Sequence, residues 1–389
     1  MEVKQIYGLV NDITKEVLGE EALVKEDLSN IVDIGDSILN KIGYDNYVKK
    51  LVNRIGKTIF VARKYSGRAP RVLMDAWEFG SVCQKIHAEL PEATVNESWD
   101  LTDGASYDQD TFHAPAVEVK FFNSKVTFEV DISITEVQVK ESFLSVAQLN
   151  SFLSMIFNKV DQKITIALDN LIMRTINNMI GETIYDLTSG GGTVGVGGVR
   201  AVNLLYLYNQ TFGVSPALTA AKAWYNKDFL RFAGQVLREH IDKLNVASKL
   251  FNVGGTDKFT PRDLLHIVLH SKFASGIETY LYGDTYHEEY VKIPKAETVP
   301  YWQGTGTGYA VADTSKIYLK TASGHDVTLG GIMGVMFDRD ALGVCNKNSR
   351  VRTHDNGKAE FINYFYKEDG HYFNDLNEQF VVFYVADNA

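Results

Sequence analysis

The most regular pattern in the chain is an alternation. From Lys125 onward, Val126, Phe128, Val130, Ile132 and Ile134 fall on one side of an extended backbone and Thr127, Glu129, Asp131, Ser133 and Thr135 on the other, which predicts a half-buried strand. Over 125–139 such a strand would span roughly 50 Å at about 3.4 Å per residue, against a usual length of about 5–6 residues. Apolar positions then switch to steps of three and four. Val146, Leu149, Leu153, Ile156, Val160, Ile164, Leu168, Leu171, Thr175 and Met179 predict a helix over about 146–180, roughly 52 Å long, uninterrupted by proline or glycine until Gly181. A compact chain of this size has a radius of gyration of only about 21 Å, so the strand must bend or leave the body as an arm.

Upstream of this pair, Ile31, Ile34, Ile38, Leu39 and Ile42 mark a helical face within residues 1–56, punctuated by Gly19, Gly35, Gly43 and Gly56. This predicts an arm of short helices. An extended stretch over 58–63, a turn at Ser66-Gly67 and an apolar run over 72–79 follow. Pro91 to His113 is rich in Asp, Asn, Ser, Thr and Gly, a length of loop that inside an ordered chain is usually functional or disordered. Val117, Val119 and Phe121 then alternate as a strand.

Downstream, the glycine run over 190–198 predicts a flexible joint and a domain boundary. Residues 218–247 read as helix. Thr260 as N-cap with Pro261 at the first helical position predicts another helix to about Ser275. Strand and loop are expected over 290–330, and two aromatic-rich strands, 361–366 and 379–386, joined by a polar turn over 368–377. There is no internal repeat.

Composition narrows the class. The 389 residues are 45% hydrophobic and 23% charged, within the range of globular proteins. Lys and Arg number 39 against 49 Asp and Glu, a net charge of −10, which disfavours a dedicated nucleic-acid binder. Cys83 and Cys345 are 262 positions apart and form no metal or disulfide motif, so both are expected as reduced thiols. No signal peptide is visible at the N-terminus. The apolar segment over 164–180 carries Asp169, Asn170, Arg174, Asn177 and Asn178, so no bilayer span is expected.

Candidate chemistry is sparse. His266 and His270 fall at i and i+4 on the predicted helix after Pro261, which is ligand spacing for a metal, but Ile267 stands where a zinc protease has its glutamate. His287-Glu288-Glu289 has carboxylates beside an imidazole and no third ligand. The glycine run lacks a phosphate-loop lysine, since Val199 and Arg200 follow Gly198. Gly80-Ser81 is followed by Val82-Cys83, so it forms no nucleophile elbow. Cys83 with His87 is a lone spacing, and Asp338 and Asp340 around Arg339 read as an ion-pair cluster at a turn. No catalytic, cofactor or metal residue is assigned.

The order of elements, with Phe337-Asp338-Arg339-Asp340-Ala341-Leu342-Gly343 and Asp375-Leu376-Asn377-Glu378-Gln379-Phe380-Val381-Val382-Phe383 near the end, resembles the major capsid proteins of tailed bacteriophages with the Hong Kong 97-type fold. The resemblance implies an α+β chain with an N-arm over 1–56 and an extended E-loop hairpin region over 57–124. It implies a P (peripheral) domain over 125–184 and 341–389, with long strands and a spine helix at about 146–180, and an A (axial) domain over 185–340. It further implies assembly of copies into hexamers and pentamers of an icosahedral virion shell in the bacterial host cytoplasm. Such a shell encloses double-stranded DNA without reading its sequence, with portal and scaffolding proteins as partners and decoration proteins as further ones. With only about 56 residues before the E-loop region, a separate scaffolding protein is expected. Trp99 and Phe112, together with Phe121 and Phe122, are the expected intersubunit contacts. An encapsulin-type nanocompartment shares this fold, and a metal-dependent hydrolase using His266 and His270 is the alternative from another class.

Overall fold

A computed structural model describes residues 11, 70, 72–74, 83–88, 96–107, 110, 112, 117–135, 146–282, 296–303, 315–321, 323–359 and 361–387. The arm expected over 1–56 lies outside them except at Asn11, as do the stretch over 58–63 and the turn at Ser66-Gly67. In chain order the elements are β1 (Leu73–Met74), β2 (Cys83–Ala88), β3 (Val117–Phe122), β4 (Lys125–Thr135), α1 (Val146–Ser189), β5 (Ala201–Asn203), α2 (Leu204–Phe212), α3 (Ala220–Ala223) and α4 (Lys227–Leu244). Then come β6 (Leu265–His270), α5 (Ser271–Tyr282), β7 (Ala296–Val299), β8 (Ile317–Lys320), β9 (Asp326–Leu329), β10 (Ile332–Asp338), β11 (Leu342–Asn356), β12 (Phe361–Asn374) and β13 (Phe380–Tyr384).

The alternation that begins at Val126 forms β4, at the edge of a sheet of order β1-β11-β12-β4. Register sets Val130 opposite Tyr366 and Ile132 opposite Tyr364, so the apolar sets of both strands share one face. Tyr364 and Tyr366 are buried there. The opposite face carries cross-strand polar pairs: Lys367 with Glu129 at 2.9 Å, Arg350 with Asp369, and Ser133 donating to Asn363 at 2.6 Å. Each pair holds the register, because a slip by one residue would put charges into the core.

Helix α1 runs 44 residues, about 66 Å, and passes through Gly181 instead of ending there. The reason is close packing. A Cβ at Gly181 would lie 2.9 Å from Thr321 Cγ2 and 3.0 Å from Leu319 Cδ1, so the missing side chain lets the β8–β9 hairpin sit against the helix. Among the polar residues of α1, Asn177 donates its amide to the Trp302 carbonyl at 2.7 Å, and Thr175 and Thr183 donate to carbonyls one turn back. No helix among the described residues is long and apolar enough to cross a membrane.

The glycine run is an ordered cap and not a loose joint. Gly190, Gly191 and Gly192 donate to the carbonyls of Asp186, Thr188 and Leu187, while Tyr384 Oη and Asn203 Nδ2 hold the carbonyls of Val194 and Gly195 at 2.8 and 2.6 Å. The helix expected over 218–247 is split at Trp224–Asn226, where the Asn226 side chain accepts from Phe229 N at 2.9 Å and starts α4 afresh.

A second sheet has the order β5-β13-β10-β6-β7. Strands β10 and β13 are buried at every position, as a sheet covered on both faces requires. On one face Ile267, Leu269, Met336, Val381 and Phe383 pack with Phe229, Leu230, Leu237 and Phe273 of α4 and α5. On the other, Val268, Val335, Phe337, Val382 and Tyr384 pack with Ile172, Ile176, Met179 and Ile180 of α1, and the same cluster takes in Leu342 and Val344 of the long-stranded sheet. The polar stretch after Glu368 remains strand as far as Asn374, and the final strand, expected to rejoin the long strands, pairs with β10 and β5 instead. Its unbroken apolar sequence, Phe380 to Tyr384, suits only a strand covered on both faces.

Candidate functional site

Strands β2 and β3 pair antiparallel, Cys83 opposite Phe122 through Ala88 opposite Val117, as a two-stranded sheet of their own. Between them, Glu97–Trp99 makes a single 3-10 turn. The Asn96 side chain accepts from Ser98 N at 2.8 Å, Tyr107 Oη accepts from Thr102 N at 3.0 Å, and Gly104 takes the φ of +79° that closes the turn. These contacts fix the backbone over 96–107, and Trp99, Leu101 and Tyr107 are exposed there.

Trp99 is 97% exposed, Phe112 86% and Phe121 65%. Val117, Val119 and Phe121 lie on one face of β3, all exposed, an apolar stripe that nothing within the described residues covers. Phe122, on the other face, is half-buried and packs on Phe373 with ring centroids 5.2 Å apart. Of the four expected contact residues, three therefore face out and Phe122 faces the body.

The hairpin is held to the body by charge. Lys85 Nζ donates to Asp375 Oδ2 at 2.9 Å and to Glu378 Oε1 at 2.6 Å, and Lys120 Nζ donates to Asp375 Oδ1 at 3.0 Å. Lys258 reaches Glu378 Oε1 at 2.9 Å from the body side. Lys85 also donates to the Asp340 carbonyl at 3.2 Å. Both carboxylates are buried, on the turn that joins β12 to β13. Burial alone would raise the Asp375 pKa, but hydrogen bonds and charge from Lys85 and Lys120 outweigh it and hold the carboxyl below its ordinary range. Glu378 is likewise lowered, burial being outweighed by Lys85 and Lys258. Burial lowers Lys85, and its bonds to Asp375 and Glu378 more than reverse that.

The turn itself is fixed from several sides. Asp375 N donates to Ala341 O at 2.7 Å, Gln379 Nε2 to Lys258 O at 2.9 Å, and Thr260 Oγ1 to Gln379 Oε1 at 2.7 Å. Gly254 lies so close to Asn377 that a side chain there would collide with it. Among the described residues Asp338 forms no ion pair with Arg339: its carboxylate accepts from Asp340 N at 2.8 Å, and burial raises its pKa.

The histidine pair does not form a metal site. His266 and His270 lie on β6, a strand and not a helix, where four residues separate them by about 13 Å. His266 stacks on Phe337 at 5.4 Å, and His270 accepts from Lys272 N at 3.2 Å with its ring edge-on to Trp224. Among the described residues no group of three or more His, Cys, Asp or Glu could hold a metal. His287-Glu288-Glu289 lies outside them, as do the side chains of Cys83 and His87. Cys345 is buried and forms no disulfide among the described residues.

Residues 10–384 match the family model of the Phi29-like phage major capsid protein. The chain belongs to that family. It is a phage major capsid protein, and so a component of the virion. A search of curated proteins finds no match. Among solved structures, a chain of the Staphylococcus phage Andhra capsid is 8% identical, with a TM-score of 0.50 and coverage of 82% of this chain and 85% of that one. A chain from the structure of head fiber and inner core protein gp22 of native bacteriophage P68 gives 8% identity, a TM-score of 0.49 and coverage of 82% and 86%. One from the capsid of cyanophage P-SCSP1u gives 10%, 0.46, 84% and 90%. The Andhra likeness shows a shared fold, a mixed helix-and-sheet capsid architecture.

The capsid protein's electrostatic anchor is beyond sequence reasoning. Lys85 and Glu378 are separated by 293 positions and Lys120 and Asp375 by 255, and no motif links them. The only signal in the sequence is Asp375 to Glu378 as a polar turn between apolar strands.

Proposed function

We propose that this capsid protein builds an icosahedral shell of hexamers and pentamers around double-stranded DNA, with the β2–β3 hairpin acting as an E-loop that lies over a neighbouring subunit. The observation that carries the proposal is the outward display of Trp99, Phe112 and Phe121 on a hairpin whose root is fixed by buried ion pairs. Aromatic side chains of this kind bury about 150–250 Å² each, so covering three is worth roughly 10 kcal/mol before ordering costs. In this reading α1 is the spine helix of a P domain built on the long-stranded sheet. The five-stranded sheet with α2, α4 and α5 is the A domain. The net charge of −10 suits a container that encloses DNA without clamping it. Portal and scaffolding proteins are the partners this reading calls for, and it assigns the chain no enzymatic role.

Deletion of residues 95–112 tests it. The expected product is a folded, soluble subunit that forms no closed shells by negative-stain electron microscopy and sedimentation. Normal shells from the deletion would overturn the hairpin's role.

A further inference from the structure

The β8–β9 hairpin leaves one edge open. Its closing hydrogen bond runs from Thr321 N to His325 O at 2.8 Å, and register then sets Lys320 opposite Asp326, Leu319 opposite Val327 and Tyr318 opposite Thr328. Bonded pairs alternate in an antiparallel ladder, so Thr321 and Leu319 bond to β9 while Lys320 and Tyr318 turn their main-chain groups to the other side. At Tyr318 a side chain already occupies that side: Gln303 Nε2 donates to Tyr318 O at 3.1 Å, and Gln303 Oε1 accepts from Tyr318 N at 3.2 Å. One carboxamide thus makes the two bonds that a residue of a neighbouring strand would make. At Lys320 the same edge carries no main-chain bond among the described residues.

A cavity of about 400 Å³ lies between this hairpin and α1, lined from the helix by Asn170, Arg174, Asn177 and Asn178 and from the other side by Gln303 and β8. The four helix residues follow at steps of three and four and so share one face. Asn177 is 5% exposed; its amide nitrogen is taken up by the Trp302 carbonyl, and its Oδ1 is buried with no hydrogen-bond partner. A buried acceptor in that state calls for an N–H or O–H donor brought in from outside. The charge of the lining has one sign. Arg174 and Lys320 are exposed, neither forms an ion pair among the described residues, and the described lining contains no carboxylate. Asp326, opposite Lys320 on β9, makes no ion pair with it. The Tyr318 ring, 62% exposed, adds apolar surface beside them.

We infer that this edge is a docking site for an extended acidic peptide of a partner protein, which enters the cavity, displaces the Gln303 amide from Tyr318 and adds a third strand to β8–β9. Such a strand supplies what the lining lacks: an N–H for Asn177 Oδ1, a carbonyl and an N–H for the main chain of Lys320, and carboxylates for Arg174 and Lys320. Main-chain pairing provides the affinity, and the two cations select the sign of the side chains. An inorganic anion answers the charge but brings no main chain to the edge. Gln303 is the placeholder, satisfying Tyr318 until the partner arrives and blunting an edge that is otherwise open to any strand.

Fluorescence anisotropy with the full-length subunit tests it, the probe being a labelled hexapeptide of alternating valine and glutamate. Its dissociation constant is expected below about 100 μM. Arg174→Glu with Lys320→Glu is expected to weaken binding at least about tenfold while leaving the melting temperature of the subunit within about 3 °C of the parent. Gln303→Ala, which clears Tyr318 and alters no charge, is expected to tighten binding about threefold or more, a gain that charge attraction alone does not give. The same hexapeptide with methylated main-chain nitrogens is expected to bind at least about tenfold more weakly. If the methylated probe binds as well as the unmethylated one, or inorganic phosphate at about 1 mM displaces the probe, the cavity takes an anion and not a strand, and the inference falls. Unchanged affinity in the charge variant, or no binding to the parent and to Gln303→Ala up to about 1 mM probe, also overturns it. Shell formation is read separately by electron microscopy, so failure here leaves the assembly role intact.

Discussion

Lys85 and Lys120 stand directly opposite one another in the β2–β3 ladder, and their ammonium groups take one carboxylate oxygen each of Asp375, at 2.9 and 3.0 Å. Like charges in a directly opposed pair destabilise an isolated hairpin. Here the pair becomes favourable only when the hairpin is seated on the Asp375 turn, so docking and hairpin formation are one event.

Asp375→Asn is therefore expected to loosen the hairpin more than its size suggests, because it leaves two lysines facing each other with half their partners gone. Since both lysines retain some solvent, the expected loss is about 1–3 kcal/mol. Hydrogen exchange at amides 83–88 and 117–122 should speed up accordingly, with the amides of β10 and β13 unchanged. Unaltered exchange in the hairpin would show that the anchor lies elsewhere.

The anchor also sets a pH window. The Asp375 and Glu378 carboxyls are held below their ordinary 3.8 and 4.5, so their contribution is present above those values and is lost as pH falls through the lowered ones. Lys85 is raised above 10.5, so its contribution is present below 10.5 and is lost as pH rises past the raised value. Asp338 works the other way, since its raised pKa means that acidification relieves a buried charge and offsets part of the loss. The difference in melting temperature between the parent and Lys85→Met should be flat from about pH 5 to 10 and shrink below about pH 4. A difference that stays constant down to pH 3 would exclude the mechanism.

Gly181→Leu should destabilise the subunit by about 1–3 kcal/mol, although leucine is the better helix former by nearly 1 kcal/mol. The added side chain would drive into Thr321 and Leu319. Thermal unfolding decides between packing and propensity, and a higher melting temperature would favour propensity.

Phe383→Ala, on the interior strand β13 of the five-stranded sheet where Phe383 is fully buried and edge-on to His240 at 5.0 Å, is expected to cost about 3–5 kcal/mol, read as a lower urea midpoint. A loss below 1 kcal/mol would mean that the sheet can collapse around the cavity.

Zinc added at equimolar concentration should leave the melting temperature unchanged, because His266 and His270 are too far apart along β6 to share an ion. An increase of several degrees would reopen the metal reading.

Long periodic segments are legible in the residues themselves: β4 declares itself by strict alternation, and α1 by apolar steps of three and four. Where the sequence misleads, two periods are superimposed. Leu265-His266-Ile267-Val268-Leu269-His270 is apolar at every position that is not histidine, so its i, i+4 pair fits a helix as readily as a strand buried on both faces. Intrinsic preference favours breaks at Gly181 and over 190–198, whereas contacts with Leu319 and with Tyr384 decide the conformation there. Trp99 is identifiable as an exposed contact candidate from the polar composition around it. Its anchor is not, because ion pairs such as Lys85 with Asp375 join positions 290 apart and leave no local trace.

Helix α1 closes the apolar face of the long-stranded sheet and the back of the five-stranded sheet along one stripe of side chains. Melting of either half bares the stripe of α1 that the other half packs against, so each half is expected to lose stability when the other opens. Damage to either sheet is therefore expected to be felt in both, so that a subunit carries its defects as a whole and not as a local flaw.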